Sequence, residues 1–443
     1  MKNIDVVTSE KMTTENSFAK KITFQAIIIV LLAACFYLYE FYMQVAPGAM
    51  QQDLMRDFAI DATKFGLLSG CFYLSYTPLQ LLAGLLLDRY STRVILTCIC
   101  TTFAFGVLLF AHASSIYMAA IARFIMGGAA SCAFISVLHL TARWVPPIHF
   151  ALFVGIAEMM GAIGGYGGTE HVAMLLKYFD WRTTITGFAY LGFILAILIA
   201  LIVRNQPAIH KNVQTQTNNH SVWFDLKTIL HNRETWTIGI YSFLIWAPIL
   251  SLGLWGTEFI HLSRGLEKTV AAHTVAFMWL GVALASPVIG WFSDLIGRRC
   301  IIMTICALAG TIATIIVIFF TNISTNTLYP LMFLIGFASA GQTLSFALVK
   351  DNNSPYTNGV ANGFNNMVVV AGGLLFQPLI GKILDMCWQG TTHNGVHIYS
   401  FFSYQTAFSV LAICYFVAAI VSIFFIRETR CIAVWQKQKE IHK

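Results

Sequence analysis

Twelve apolar stretches, each long enough to cross a hydrocarbon layer, run through the 443 residues: roughly 22–47, 62–87, 92–111, 115–142, 149–175, 181–203, 234–261, 268–292, 298–320, 327–349, 358–384 and 401–426. A spanning helix needs about 20 such residues. Lipid offers no hydrogen bonds to a backbone, so each segment must satisfy its own N–H and C=O groups, which a helix does. The spacing therefore predicts an all-α, polytopic membrane protein with twelve transmembrane helices. Composition agrees, with 57% hydrophobic and 11% charged residues, against about 25% charged in soluble domains.

One long polar segment interrupts the pattern, "RNQPAIHKNVQTQTNNHSVWFDLK", beginning at Arg204. Its amides and hydroxyls mark a linker rather than a core, and it divides the spans six and six. The expected organisation is a polar tail (1–21), a six-helix bundle (22–204), a linker (205–232), a second six-helix bundle (233–427) and a second tail (428–443). The first apolar run continues to about Val45, longer than the roughly 7–15 residues of a secretory leader, and is read as the first span. With both termini in the cytoplasm, 19 Lys and Arg fall on the cytoplasmic side and 7 outside, leaving Arg123 within the membrane; that bias orients the chain. The net charge of +7 punctuates apolar runs instead of clustering on a soluble surface, so no nucleic-acid partner is expected. Ten scattered cysteines without a C-x-x-C pair make packing residues, and no metal site is expected.

The halves repeat one another. "GLLLDRYSTR" from Gly84 and "GWFSDLIGRR" from Gly290 lie 206 residues apart, placing Asp88 over Asp294 and Arg93 over Arg299. Gly127 and Pro146 match Gly336 and Pro355 at 209, and Gly155, Gly164 and Gly165 match Gly363, Gly372 and Gly373 at 208. Two pseudo-symmetric six-helix bundles in parallel repeat are the architecture of transporters that rock about a site at the membrane midplane.

These residues resemble the major facilitator superfamily over essentially the whole chain. Its loop motif after the second span, Gly-x-Leu-x-Asp-Arg-x-Gly-Arg-Arg, is met by Gly84, Asp88, Arg89 and Arg93, with Ser91 where the second glycine would stand. The second copy keeps Asp294, Gly297, Arg298 and Arg299 but has Leu295 for the first arginine. Acid and cations there suit a gate whose ion pairs and helix-end contacts form in one state and break in another. The family's fourth-span motif, an Arg with Gly four residues on, is met by "RFIMGGAAS" from Arg123. The stretches "FYLYEFYMQVAPGAM" and "LTARWVPP" resemble those of proteobacterial facilitators, which implies a bacterial inner-membrane protein.

Charges inside a membrane are costly and mark function. Glu40 sits in "AACFYLYEFYMQV" and Glu158 in "GIAEMMGAIGGYGG". Antiparallel first and fourth helices bring Glu40 and Arg123 to similar depth, so an ion pair between them is expected. Two acids and one Arg leave one acid free to take up a proton, and Glu40, Arg123 and Glu158 are the candidate proton-coupling residues. The alternative is a structural ion pair locking the first, fourth and fifth helices. The second half offers amides instead. Gln342, Asn362 and Asn366, with Tyr37, Gln44, Tyr73, Trp246 and Trp255, are the candidate substrate contacts, and Pro248 is placed to break the seventh helix beside a cavity.

No Gly-x-x-x-x-Gly-Lys-Ser/Thr and no His-Glu-x-x-His is present, so neither enzyme activity nor a cofactor is expected and a gradient must drive transport. Family members that exchange phosphate esters place basic residues in both halves of the cavity; here Arg123 stands alone, which disfavours a strongly anionic substrate. The expectation is a monomeric carrier for proton-coupled uptake of a small polar or zwitterionic nutrient of amino acid or nucleoside type. The alternative is proton-driven movement of a siderophore or drug, although Gly161-Ala162-Ile163-Gly164-Gly165 lacks the proline of the exporters' Gly-Pro-x-x-Gly-Gly element. A non-transporting sensor is a third reading.

Overall fold

A computed structural model describes residues 23–146, 149–204, 222–320, 322–393 and 395–431. The N-terminal half comprises α1 (Phe24–Val45), a short α2 (Gln51–Asp57), α3 (Ala62–Arg89), α4 (Thr92–Ala111), α5 (Ile116–Ala130), α6 (Ala133–Trp144), α7 (Phe150–Leu175) and α8 (Trp181–Ile202). The C-terminal half comprises α9 (Val222–His231), α10 (Arg233–Arg264), α11 (Lys268–Ile296), α12 (Arg299–Phe319), α13 (Thr325–Ser339), α14 (Thr343–Asn352), α15 (Asn358–Met386) and α16 (Phe401–Phe424). With α5–α6 and α13–α14 each counted as one crossing and the short α2 and α9 left out, the described residues make twelve. Ten are long and apolar enough to span by composition alone; α3 and α7, of 28 and 26 residues, complete the set.

Side-chain oxygens start these helices. Thr23, Asp61, Ser91, Ser115, Asp180, Ser324 and Ser400 each accept from the backbone N–H three residues on, contributing about 1 kcal/mol per cap. Gly265 and Gly297, with φ of 63° and 67°, end α10 and α11 in the left-handed conformation that glycine adopts without strain.

The structure adds to or departs from the sequence expectation in four places. The fourth and tenth spans are broken, at Ser131–Cys132 and through a 3-10 turn at Ala340–Gln342; at each break a serine hydroxyl turns back to a carbonyl of the preceding turn, Ser131 to Gly128 at 2.8 Å and Ser339 to Ile335 at 3.0 Å. The seventh span, by contrast, runs unbroken through Pro248 for 32 residues. Within the expected linker, Val222–His231 is helical; Ile229 is fully buried and Trp236 donates to the Leu230 carbonyl at 2.9 Å. A two-stranded hairpin, β1 (Thr392–His393) and β2 (Val396–His397), lies between α15 and α16.

The halves meet chiefly through α3 against α15 and α7 against α11. An even number of crossings puts both ends of the chain at one end of the bundle, the terminal end; the other is the distal end. At the distal end the halves are in close contact. At the terminal end they part around a cavity.

Candidate functional site

The cavity has a volume of about 590 Å³ and is lined by the later turns of α3, the first turns of α6, α7 and α15, and α14 along its length, so it runs from the middle of the bundle toward the terminal end. Its walls are mostly apolar, including Phe134 and Phe346, and its polar groups are few: Gln80 and Glu158 from the N-terminal half, Thr343, Asn362, Asn366 and Lys350 from the other. A few placed polar groups in an apolar cleft are the usual chemistry of a small-molecule site. Of the residues expected from sequence, Glu158, Asn362 and Asn366 are brought together here. Gln80 and Lys350 were missed: Gln80 lies far along the second span with nothing local to distinguish it, and Lys350 reads as one more positive-inside anchor, exposed as it is at the rim.

Arg123 lies elsewhere. It is 1% exposed, donates to the carbonyls of Met43 at 3.1 Å and Gln44 at 3.2 Å, and stacks its guanidinium 4.7 Å over the Phe72 ring. The expected ion pair with Glu40 is not formed. The reason is where α1 ends: its last turn leaves carbonyls without intrahelical partners, at the negative end of the helix dipole, and a buried guanidinium with five donors satisfies them. Glu40 is fully buried and neither of its oxygens has a hydrogen-bond partner. Tyr37 and Tyr76 stand within electrostatic reach of both Glu40 and Glu158, so a line of polar groups joins the cavity to the buried acid. Tyr37 itself packs on Gly161 and 5.2 Å from the Phe134 ring.

Other expected substrate contacts belong to the closed part of the boundary. Gln44 donates to the Tyr73 hydroxyl at 2.9 Å, Gln377 reaches the same hydroxyl at 3.5 Å, and the fully buried Trp255 donates to the Gln377 carbonyl at 3.2 Å while packing on Phe65. Gln342 is buried in the 3-10 turn, and Trp246 is half-buried among the helices of the second half. Two aromatic wedges close this layer. Tyr73 of α3 lies against Gly373 of α15, and Trp279 of α11 against Gly165 of α7 and bonded to the Thr169 hydroxyl at 3.2 Å. Each wedge pairs with a glycine of the other half, because a Cβ at either position would fall about 2.5 Å from the ring.

The distal end is latched by polar contacts across the boundary. Gln52 donates to Glu258 at 3.0 Å, His273 meets Glu170 at 2.7 Å, and Lys177 meets Glu267 at 2.5 Å; hydrogen bonding from Lys177 holds the Glu267 carboxyl below its ordinary range. The densest latch is Asp385 of α15, which accepts from Ala62 N at 3.2 Å, Thr63 N at 2.7 Å, the Thr63 hydroxyl, and Tyr399 of its own half at 2.5 Å. A carboxylate from one half thus caps the first turn of α3 in the other, where the helix dipole favours negative charge. Hydrogen bonds to a charged group contribute about 1.5–3 kcal/mol, so Asp385→Ala is expected to populate a distally open form. Spin labels at the exposed Lys64 and Lys382, in a background free of native cysteines, would read it as a longer distance; an unchanged distribution would remove Asp385 from the gate.

Among the described side chains, the bonds of the motif copies stay within their own halves. Arg93 donates to the Ala200 carbonyl at 2.7 Å, Arg299 pairs with Asp351 at 3.2 Å and Asp294 at 3.8 Å, and Arg298 is exposed. Gly84, Asp88 and Arg89 fall in the last turns of α3, and their side chains lie outside the described residues. Among the described residues no group of three His, Cys, Asp or Glu gathers to hold a metal.

A sequence model of the Major Facilitator Superfamily matches residues 29–377. The chain belongs to the major facilitator superfamily. It is therefore a multi-pass membrane transport protein for small molecules rather than a member of an enzyme class. Among relatives in this superfamily, the uncharacterized transporter YybO of Bacillus subtilis is 23% identical over 58% of this chain and 62% of its own length, so the matching segment spans less than two thirds of that relative. The hexose-6-phosphate:phosphate antiporter of Salmonella typhimurium is 20% identical over 82% of the chain and 83% of its own. In structure, the chain resembles a bacterial homolog of the human lysosomal transporter Spinster in an inward-facing, unoccupied conformation, with a TM-score of 0.74, 13% identity, and coverage of 91% and 97%. That likeness concerns the fold of the superfamily alone.

Proposed function

We propose that this facilitator couples uptake of a small polar or zwitterionic nutrient, of amino acid or nucleoside type, to protons. It works as a monomer in a bacterial inner membrane with both termini in the cytoplasm. On the positive-inside bias, the terminal end faces the cytoplasm and the form described is cytoplasm-open. The observation that carries the reading is Glu158, a carboxylate lining a cavity to which the other half brings the neutral amides of Asn362 and Asn366. An acid in that place takes a proton from one side and gives it up on the other when the halves rock. The phosphate-ester exchanger among the relatives handles a strongly anionic solute. Here the one cation among the described lining residues, Lys350, sits at the exposed rim, and Arg123 is engaged by backbone carbonyls away from the lining, so such a solute is disfavoured.

The test is uptake by the purified protein in liposomes under an inward proton gradient, across radiolabelled amino acids and nucleosides. Accumulation above the external concentration, collapsed by a protonophore, is the expected result. Accumulation that ignores the protonophore, or efflux alone in vesicles of defined orientation, would overturn it.

A further inference from the structure

Two amides meet across the boundary on the floor of the cavity. Asn366 of α15 donates through Nδ2 to Oε1 of Gln80 in α3 at 3.0 Å. The return bond, from Gln80 Nε2 to Asn366 Oδ1, is not made: Gln80 is 1% exposed, and its Nε2 has no hydrogen-bond partner. The Tyr76 hydroxyl, one turn earlier on the same helix, is near enough to that amide to feel it as a hydrogen-bond donor, although no bond of full geometry forms between them. One turn before Asn366, the buried Oδ1 of Asn362 is likewise unpartnered. Buried donors and acceptors in folded proteins are nearly always satisfied, and each exception calls for a missing partner. Here an open donor belongs to one half and an open acceptor to the other, and both residues line the same cavity.

We infer that Gln80, Asn362 and Asn366 are specificity-determining residues that read the lactam edge of a planar heterocycle, as a pyrimidine-type nucleoside presents. A ring carbonyl accepts from Gln80 Nε2, and the neighbouring ring N–H donates to Oδ1 of Asn362 or Asn366. Three features favour this solute over a free amino acid. The open groups are a neutral donor and a neutral acceptor, which match an edge bearing both. Phe134 and Phe346 bring one aromatic ring from each half to the cavity wall, surfaces on which a flat ring stacks. The volume of about 590 Å³ lies in the range of about 300–1,000 Å³ that holds such ligands. The Gln80–Asn366 bond also ties α3 to α15, so a solute that engages these amides acts on the joint between the halves as it binds. The inference rests on the reading of this cavity as the transport site.

The test is calorimetric binding to the purified full chain in detergent, with uridine, its ring N-methyl analogue in which the N–H is lost, and L-threonine. Uridine is expected to bind wild type, and the methylated analogue to bind about tenfold more weakly or worse, since one buried acceptor then stays unpaired. Gln80→Ala and Asn366→Ala should each weaken uridine by about tenfold and narrow its advantage over the analogue. The two-ligand comparison on wild type needs no variant to fold. Equal binding of uridine and the analogue, or no binding of uridine whatever threonine does, would overturn the inference and leave proton-coupled uptake of another polar solute standing. Failure of every amino acid and nucleoside to accumulate in energised liposomes would overturn the transport reading instead.

Discussion

Replacing Glu158 by Gln is expected to reduce accumulation under an inward proton gradient to the level of empty liposomes, while solute exchange without a gradient continues. The amide keeps the size and shape of the side chain, so the cavity of about 590 Å³ keeps its form. What is lost is the ability to gain and release a proton. Of the two membrane-embedded acids, Glu158 lines the cavity and meets whatever enters from the terminal end, whereas Glu40 is sealed at 0% exposure behind Tyr37 and Tyr76. Coupling needs one acid that both faces of the membrane reach in turn, and Glu158 is the one placed for it. Counterflow and gradient-driven uptake, measured side by side on Glu158→Gln and Glu40→Gln, separate the two acids. Accumulation that survives the first and vanishes only in the second would move the proton to the sealed carboxyl.

Leucine at Gly127 or Gly336 should have the largest effect on the fold. A Cβ at Gly127 would lie 1.9 Å from the Phe72 carbonyl oxygen, and one at Gly336 would lie 1.7 Å from that of Met278. Neither neighbour is a flexible side chain that could swing aside; both are backbone, so the helices must separate. The loss is expected to be about 3 kcal/mol or more for each, at the upper end for overpacking, and to appear as a lowered thermal midpoint and poor yield of monodisperse protein. Gly187→Leu is the control, because nothing lies within 4 Å of its Cβ position, and it should leave the midpoint unchanged. Equal midpoints for all three variants would show that these approaches do not hold the helices of each half together.

The same two glycines show how much of the fold was written in the chain. Gly127 and Gly336 align at an offset of 209, and the carbonyls they touch, Phe72 and Met278, lie 206 apart, the offset of the loop motif. The wedges Tyr73 and Trp279 are also 206 apart, and their glycines Gly373 and Gly165 are 208 apart. A repeat visible as spaced glycines thus predicts where helices touch, because close helix contact admits no side chain and leaves a readable gap in the sequence. The candidate site was legible only in part. Glu158, Asn362 and Asn366 stood out as polar residues in apolar runs and do share the cavity. Gln80 was passed over, whereas Gln44, expected to meet the substrate, turns to the closed layer instead.

Hydropathy and spacing alone determined the twelve spans, the six-and-six division and the matched motifs, since each is a property of neighbouring residues that lipid reads one helix at a time. Tertiary structure decided the rest: that Arg123 goes to the carbonyls ending α1 rather than to Glu40, that Asp385 caps a helix 323 residues away in the other half, and that Gln80 finds Asn366. Those partnerships join helices far apart in the chain, and which of them form depends on how helices pack within and between the two bundles, a quantity no single segment carries.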